Sequence, residues 1–156
     1  MGRYVWERDL EMDLERLSDY YGTGCLVTLV EAHELEELGI ARLRERVRAH
    51  DMTSHWFPIP DGGVPDDVGA FIATVRTIVS SMLTGVRVVV HCRGGLGRAG
   101  LVAACVLVAM GERPDEAIAV VRGARPRAIE NEAQEDFVLR FPVVWSRAAA
   151  RNNSNT

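Results

Sequence analysis

The segment His91-Cys92-Arg93-Gly94-Gly95-Leu96-Gly97-Arg98 gathers in one stretch the residue types from which anion chemistry is built. Gly94, Gly95 and Gly97 let the backbone curl tightly and turn its N–H groups inward. The apolar run Ala99 to Met110 follows at once, so the loop feeds the N-terminus of a helix. The partial positive charge and free N–H donors of such a terminus attract an anion. Cys92 enters this cup at its base, where the same field favours a thiolate. Arg98 comes back over the rim with a planar fork suited to two oxygens of a phosphoryl group. A thiolate and a phosphate clamp on one loop describe a site for covalent phosphoryl transfer.

Such a reaction also needs a proton for the departing oxygen, because an alkoxide or phenoxide leaves poorly at neutral pH. Asp61 lies 31 residues before Cys92, in the loop Pro58-Ile59-Pro60-Asp61-Gly62-Gly63. A carboxyl on a mobile loop that closes over the phosphate can supply that proton and later deprotonate the attacking water. Its plain alternative is a turn aspartate before two glycines. Asp66 and Asp67 read better as first-turn acids of a helix. His33, His50 and His55 have no metal-ligand spacing, so no metal is expected. Cys25 and Cys105 read as buried apolar residues.

The elements that must hold these groups alternate. Arg8 to Tyr20 is an expected helix ended by Gly22 and Gly24, and Cys25 to Val30 an expected buried strand. Turn-helix and helix follow at Glu31–Glu37 and Ala41–Ala49, then a second strand at His55–Ile59 and a helix at Asp66–Leu83. Val86 to His91 is the third strand. Its Val88-Val89-Val90 run has no polar alternation, as expected of a central strand covered on both faces. Helices follow at 97–110, 114–123 and 131–141, with continuation of the last past Pro142 left open. The implied fold class is a three-layer α/β/α arrangement with a central, mostly parallel sheet. Ligands of such sheets bind beyond the carboxyl ends of the strands, where Asp61 and Cys92 fall. One domain is expected over residues 1–146, with 147–156 a disordered tail.

Composition narrows the class. The chain has 156 residues, 47% hydrophobic and 26% charged, which excludes a disordered chain or a disulfide-stapled miniature fold. A formal charge of −4 argues against a general nucleic-acid partner. All 18 basic residues are arginine, so any phosphate must be held by guanidinium groups. Three cysteines without a framework spacing suit a reducing compartment, and the acidic start is no signal peptide. No apolar run reaches the roughly 20 residues of a membrane helix. A cytoplasmic location is the expectation.

Cys-X5-Arg, preceded by His and entered from an apolar strand, resembles the signature of the cysteine-dependent protein tyrosine and dual-specificity phosphatases. The string from His91 to Arg98 is most similar to the branch around the cyclin-dependent-kinase-associated phosphatase. Phe57 to Asp66 upstream agrees, as does Ala128-Ile129-Glu130-X-X-X-Gln134 downstream, so the likeness covers roughly residues 8–141. It implies Cys92 as nucleophile, Arg98 and the backbone of Arg93, Gly94, Gly95, Leu96 and Gly97 as the phosphate cradle, and Asp61 as general acid. It implies a supporting His91, which orients the loop. It also offers Gln134 as a residue that positions the hydrolytic water, although Asn131-Glu132-Ala133-Gln134 reads equally as a helix capping box. Arg122, Arg125 and Arg127 are open between contacting an acidic substrate and capping a helix end.

One position departs from the pattern: after the signature arginine the family usually has Ser or Thr, and here stands Ala99. That hydroxyl ordinarily donates to the cysteine sulfur. The resemblance thus implies a metal-independent, cofactor-free phosphomonoesterase that acts on phosphotyrosine, and on phosphoserine or phosphothreonine, in a protein partner and releases inorganic phosphate. The rivals are a phosphoinositide or RNA 5′-phosphate phosphatase of the same fold, and a phosphate-binding pseudophosphatase.

Overall fold

The computed structural model describes residues 9–154. The candidate N-terminal edge strand at Gly2–Glu7 lies outside them. The chain opens with helix α1 (Leu10–Glu15), capped by the Asp9 carboxylate, which accepts from the N–H groups of Glu11 and Met12. It widens into a π-helical turn (Arg16–Tyr20), and Gly22 at φ +62° releases the chain into strand β1 (Thr23–Thr28). Short helices α2 (Ala32–Glu37) and α3 (Leu43–Ala49) lead to β2 (Thr53–Trp56). Then come α4 (Val68–Leu83), β3 (Arg87–His91), α5 (Gly97–Ala109), α6 (Pro114–Ala124) and α7 (Glu132–Asn153).

The three strands form one parallel sheet in the order β2-β1-β3. Two cores fill its faces. Cys25 and Val27 of β1 point into the larger one, with Phe71, Ile72 and Val75 of α4, most of α5, and Val138 and Phe141 of α7. Leu26 and Val30 point into the smaller one, with Leu14, Leu35, Leu43 and Val47. The layers are therefore helix, sheet, helix, as expected.

Three sequence expectations are corrected. β1, not β3, is the middle strand; among the described residues β3 is an edge. An unbroken valine run requires helices over both faces of a strand, and it has them, but it says nothing about hydrogen-bonded neighbours. β2 ends at Trp56 rather than Ile59, because the N–H groups of Phe57 and Ile59, two residues apart, donate to the consecutive carbonyls of Thr28 and Leu29, and the ladder loses its register there. Residues 147–153, expected as a tail, continue α7, since Ala148, Ala149 and Ala150 are the best helix formers and Pro142 does not stop the helix.

Candidate active site

β3 delivers the loop. Its last residue, His91, points its ring at β1: Nε2 lies 2.9 Å from the Thr28 hydroxyl and Nδ1 3.3 Å from the Cys92 carbonyl. A carbonyl can only accept, so the proton sits on Nδ1, and Thr28 donates to Nε2. Burial, aided by the Arg98 charge, pushes the imidazole below its ordinary value of 6.5. His91 is a neutral tie between the ends of β3 and β1.

Cys92 is half-buried and packs against both cores. The loop after it turns at Gly95, whose φ of +68° favours glycine, and α5 starts at Gly97. Among the described residues no group accepts a hydrogen bond from the N–H of Arg93, Gly94, Gly95 or Leu96. The donors of the cup are free for a ligand.

Arg98 lies in the first turn of α5 and is only 2% exposed. Its Nη1 donates to Glu34 Oε2 at 2.7 Å and to the Ile59 carbonyl at 2.9 Å, and its Nη2 donates to Glu34 Oε1 at 2.8 Å. Glu34 also accepts from the Glu31 N–H at 2.8 Å, closing a capping box on α2. The Arg98 guanidinium holds the Glu34 carboxyl down at about 2. Two forks thus lock one another in a buried site. Nε–H has no hydrogen-bond partner among the described residues and is left for a phosphate oxygen, while the outer side of Nη2 faces the Asp61 carboxylate.

Glu34 escaped the sequence reading, where α2 was a plain turn-helix. The signal was present: an acid beside Leu35, just past the carboxyl end of a buried strand, where a parallel sheet builds its sites.

Asp61 is brought to the same place. Its Oδ1 lies 3.2 Å from Arg98 Nη2, while its side chain stays 74% exposed. It sits in a tight turn that the Gly63 N–H closes onto the Pro60 carbonyl at 2.8 Å, with Gly62 at φ +69°. The turn is tied on both sides: the Ile59 N–H donates to the Leu29 carbonyl, and Asn131 and Gln134 donate to the carbonyls of Gly62 and Gly63. Asp67 caps α4 by accepting from the Ala70 N–H.

The remaining candidates divide. Gln134 is fully buried, with its amide engaged at both ends: Oε1 accepts from the Glu130 N–H at 3.0 Å, and Nε2 donates to the Gly63 carbonyl at 3.1 Å. Asn131 is the N-cap of α7, so this stretch is a cap in geometry. Arg122 caps no helix end; it braces the connection between α6 and α7, donating to the carbonyls of Ala128 and Ile129. Arg125 instead reaches the loop and donates to the Gly94 carbonyl at 3.2 Å. Arg93 turns away to Glu37 at 3.3 Å. Arg127 is exposed at φ +70°. Ala99 is buried in the first turn of α5. A cavity of about 680 Å³ opens beside Cys92, with Arg93 and Arg125 at its polar side.

Residues 7–138 match the family model for the Swiss Army Knife DSP-PTPase phosphatase domain. The chain is 29% identical over 137 residues to Cyclin-dependent kinase inhibitor 3 of Rattus norvegicus, covering 86% of this chain and 64% of that protein. It is 31% identical over 110 residues to Putative tyrosine phosphatase 067L of Invertebrate iridescent virus 3, covering 59% and 46%. The structure superposes on kinase-associated phosphatase, carrying a serine for its catalytic-site cysteine, with a TM-score of 0.84 at 25% identity, covering 93% and 82%. It superposes on Tk-PTP in the active form with a TM-score of 0.74 at 30% identity, covering 88% and 86%.

Proposed function

The chain belongs to the DSP-PTPase phosphatase family, and from that premise we propose that it is a metal-independent phosphomonoesterase that works through a phosphocysteine. The observation that carries the reading is the meeting of Asp61 with Arg98, 3.2 Å apart, over a loop whose N–H donors are free. A substrate phosphate rests on those N–H groups and on the outward face of Arg98. Cys92 Sγ attacks phosphorus in line, forming the P–S bond as the bond to the leaving oxygen breaks. Asp61 gives its proton to that oxygen. In the second step Asp61 takes a proton from water, the water oxygen attacks phosphorus, and sulfur leaves as thiolate with release of phosphate.

The substrate we propose is a phosphoprotein, with phosphotyrosine first and phosphoserine or phosphothreonine beside it. Of the two arginines at the cavity beside Cys92, Arg93 is paired with Glu37 at 3.3 Å, which offsets part of the positive charge that a multiply charged headgroup or nucleic-acid end calls for. A panel assay of phosphate release tests this with aryl phosphate, phosphopeptides, a phosphoinositide and 5′-phosphorylated RNA. The expected result is turnover of the aryl and peptide esters that survives EDTA and vanishes in Cys92→Ser, while vanadate still binds that variant. Preference for the lipid or RNA would overturn the protein substrate. Binding without turnover would identify a pseudophosphatase.

A further inference from the structure

We infer that residues 129–134 form a clasp that fixes the acid loop against the nucleophile loop, with Asn131 and Gln134 acting through Asp61 as positioning residues. The inference rests on the reading of Asp61 as proton donor. On one side, Asn131 Nδ2 donates to the Gly62 carbonyl at 2.9 Å and Gln134 Nε2 to the Gly63 carbonyl at 3.1 Å. These are the two residues that follow Asp61 in its turn. On the other side, the Ile129 N–H donates to the carbonyl of Leu96, within the Cys92 loop, at 3.2 Å. One six-residue segment therefore reaches both loops, through Ile129 on one side and Asn131 and Gln134 on the other.

The clasp is itself held in shape. Ile129 sits at φ +58°, a conformation that β-branched residues rarely adopt, and its surroundings impose it. Arg122 Nη2 holds the Ile129 carbonyl at 2.9 Å while pairing with Glu135 at 2.7 Å. Asn131 does two jobs with one side chain: its Oδ1 caps α7 through the Gln134 N–H at 3.0 Å, and its amide grips the turn. Gln134 likewise spends Oε1 on the Glu130 N–H and Nε2 on the turn. Proton transfer requires heavy atoms within about 2.6–3.2 Å, so a turn freed by one of these bonds misplaces the carboxyl without removing it.

The two jobs of Asn131 can be separated. Asn131→Asp and Asn131→Ser each retain a capping oxygen and lose the amide donor to Gly62. One variant adds a charge and the other does not. Measured as kcat/KM, both should lose about 10-fold on phenyl phosphate, whose leaving group needs a proton. The loss should be much smaller on dinitrophenyl phosphate, which needs none. Gln134→Glu, which keeps the acceptor and loses the donor to Gly63, should show the same selectivity; the Asn131 pair decides if it fails to fold. Asp61→Asn, run in parallel, should show the same pattern with a larger loss. Selectivity in Asp61→Asn but equal or absent losses in the Asn131 variants would overturn the clasp and leave the proton donor standing. An equal loss on both esters in Asp61→Asn would remove the proton donor, and the clasp with it.

Discussion

Sulfur must leave phosphorus in the second half of the proposed reaction, and Ala99 offers it no hydroxyl. The position is buried, so solvent does not readily replace the missing donor. A rapid-quench experiment should show a burst of leaving group followed by slower steady turnover. Ala99→Ser should raise kcat; one charge-assisted hydrogen bond, worth about 1.5–3 kcal/mol, sets a ceiling of roughly 10- to 150-fold. No burst together with an unchanged kcat would show that position 99 limits nothing. Glu34 gives a second prediction at this scale. Its carboxyl is depressed from 4.5 to about 2 by Arg98, so the stability it contributes is present above pH 4.5 and lost as pH falls through 2. His91 has the same sign: burial favours its neutral form, and that contribution fades as pH falls below 6.5. Glu34→Gln should lower stability at neutral pH by about 3 kcal/mol, because the buried Arg98 loses its bidentate carboxylate and keeps only the exposed Asp61 as a charged partner. Its urea-unfolding midpoint should then depend less on pH between 4.5 and 2 than that of the parent. A parallel pH profile in the two proteins would contradict the pairing.

At the scale of elements, α5 must approach the 128–130 segment closely for the clasp to reach the loop. A Cβ at position 100 would lie 2.9 Å from the Ile129 backbone nitrogen and 3.1 Å from the Ala128 Cβ. Backbone cannot yield as a flexible side chain does. Gly→Ala within a helix ordinarily gains about 0.5–1 kcal/mol. Here overpacking reverses the sign, and Gly100→Ala should cost about 1–3 kcal/mol. Thermal unfolding would register this as a fall of several degrees, at about 2–4 °C per kcal/mol for a chain of this size. A gain in stability would show that the two segments have room between them. The helices and strands themselves were legible from apolar spacing, Gly22 and the proline-rich loop, because those signals are local. Strand order was not, since the valines of β3 record which faces are covered and not which edge is paired. The length of α7 was misread because the polar end, Asn152 to Thr156, outweighed its alanines.

Across the whole molecule, the sheet brings together three motifs far apart in the chain. The loop that carries Cys92 and Arg98 was legible as an anion cup from its glycines and the apolar helix after it, and as a phosphatase-like signature only together with the stretches around Asp61 and Gln134. Asp61 was legible from its turn and from the family resemblance, but its contact with Arg98 needed the fold. Glu34 and the grip of Asn131 on Gly62 were not legible, because each joins residues whose pairing only the fold reveals. The chain spans 64% of the length of the Cyclin-dependent kinase inhibitor 3 it matches in Rattus norvegicus. Partners of that longer protein therefore carry no prediction here.

The central claim is that phosphorus is bonded to Cys92 during turnover. Acid quenching within the first turnovers on aryl phosphate, followed by peptide mass spectrometry, tests it directly. The account predicts a phosphate adduct on the peptide that contains Cys92, decaying as inorganic phosphate appears and absent from Cys92→Ser. Turnover with no adduct, or with the adduct on another residue, would contradict it.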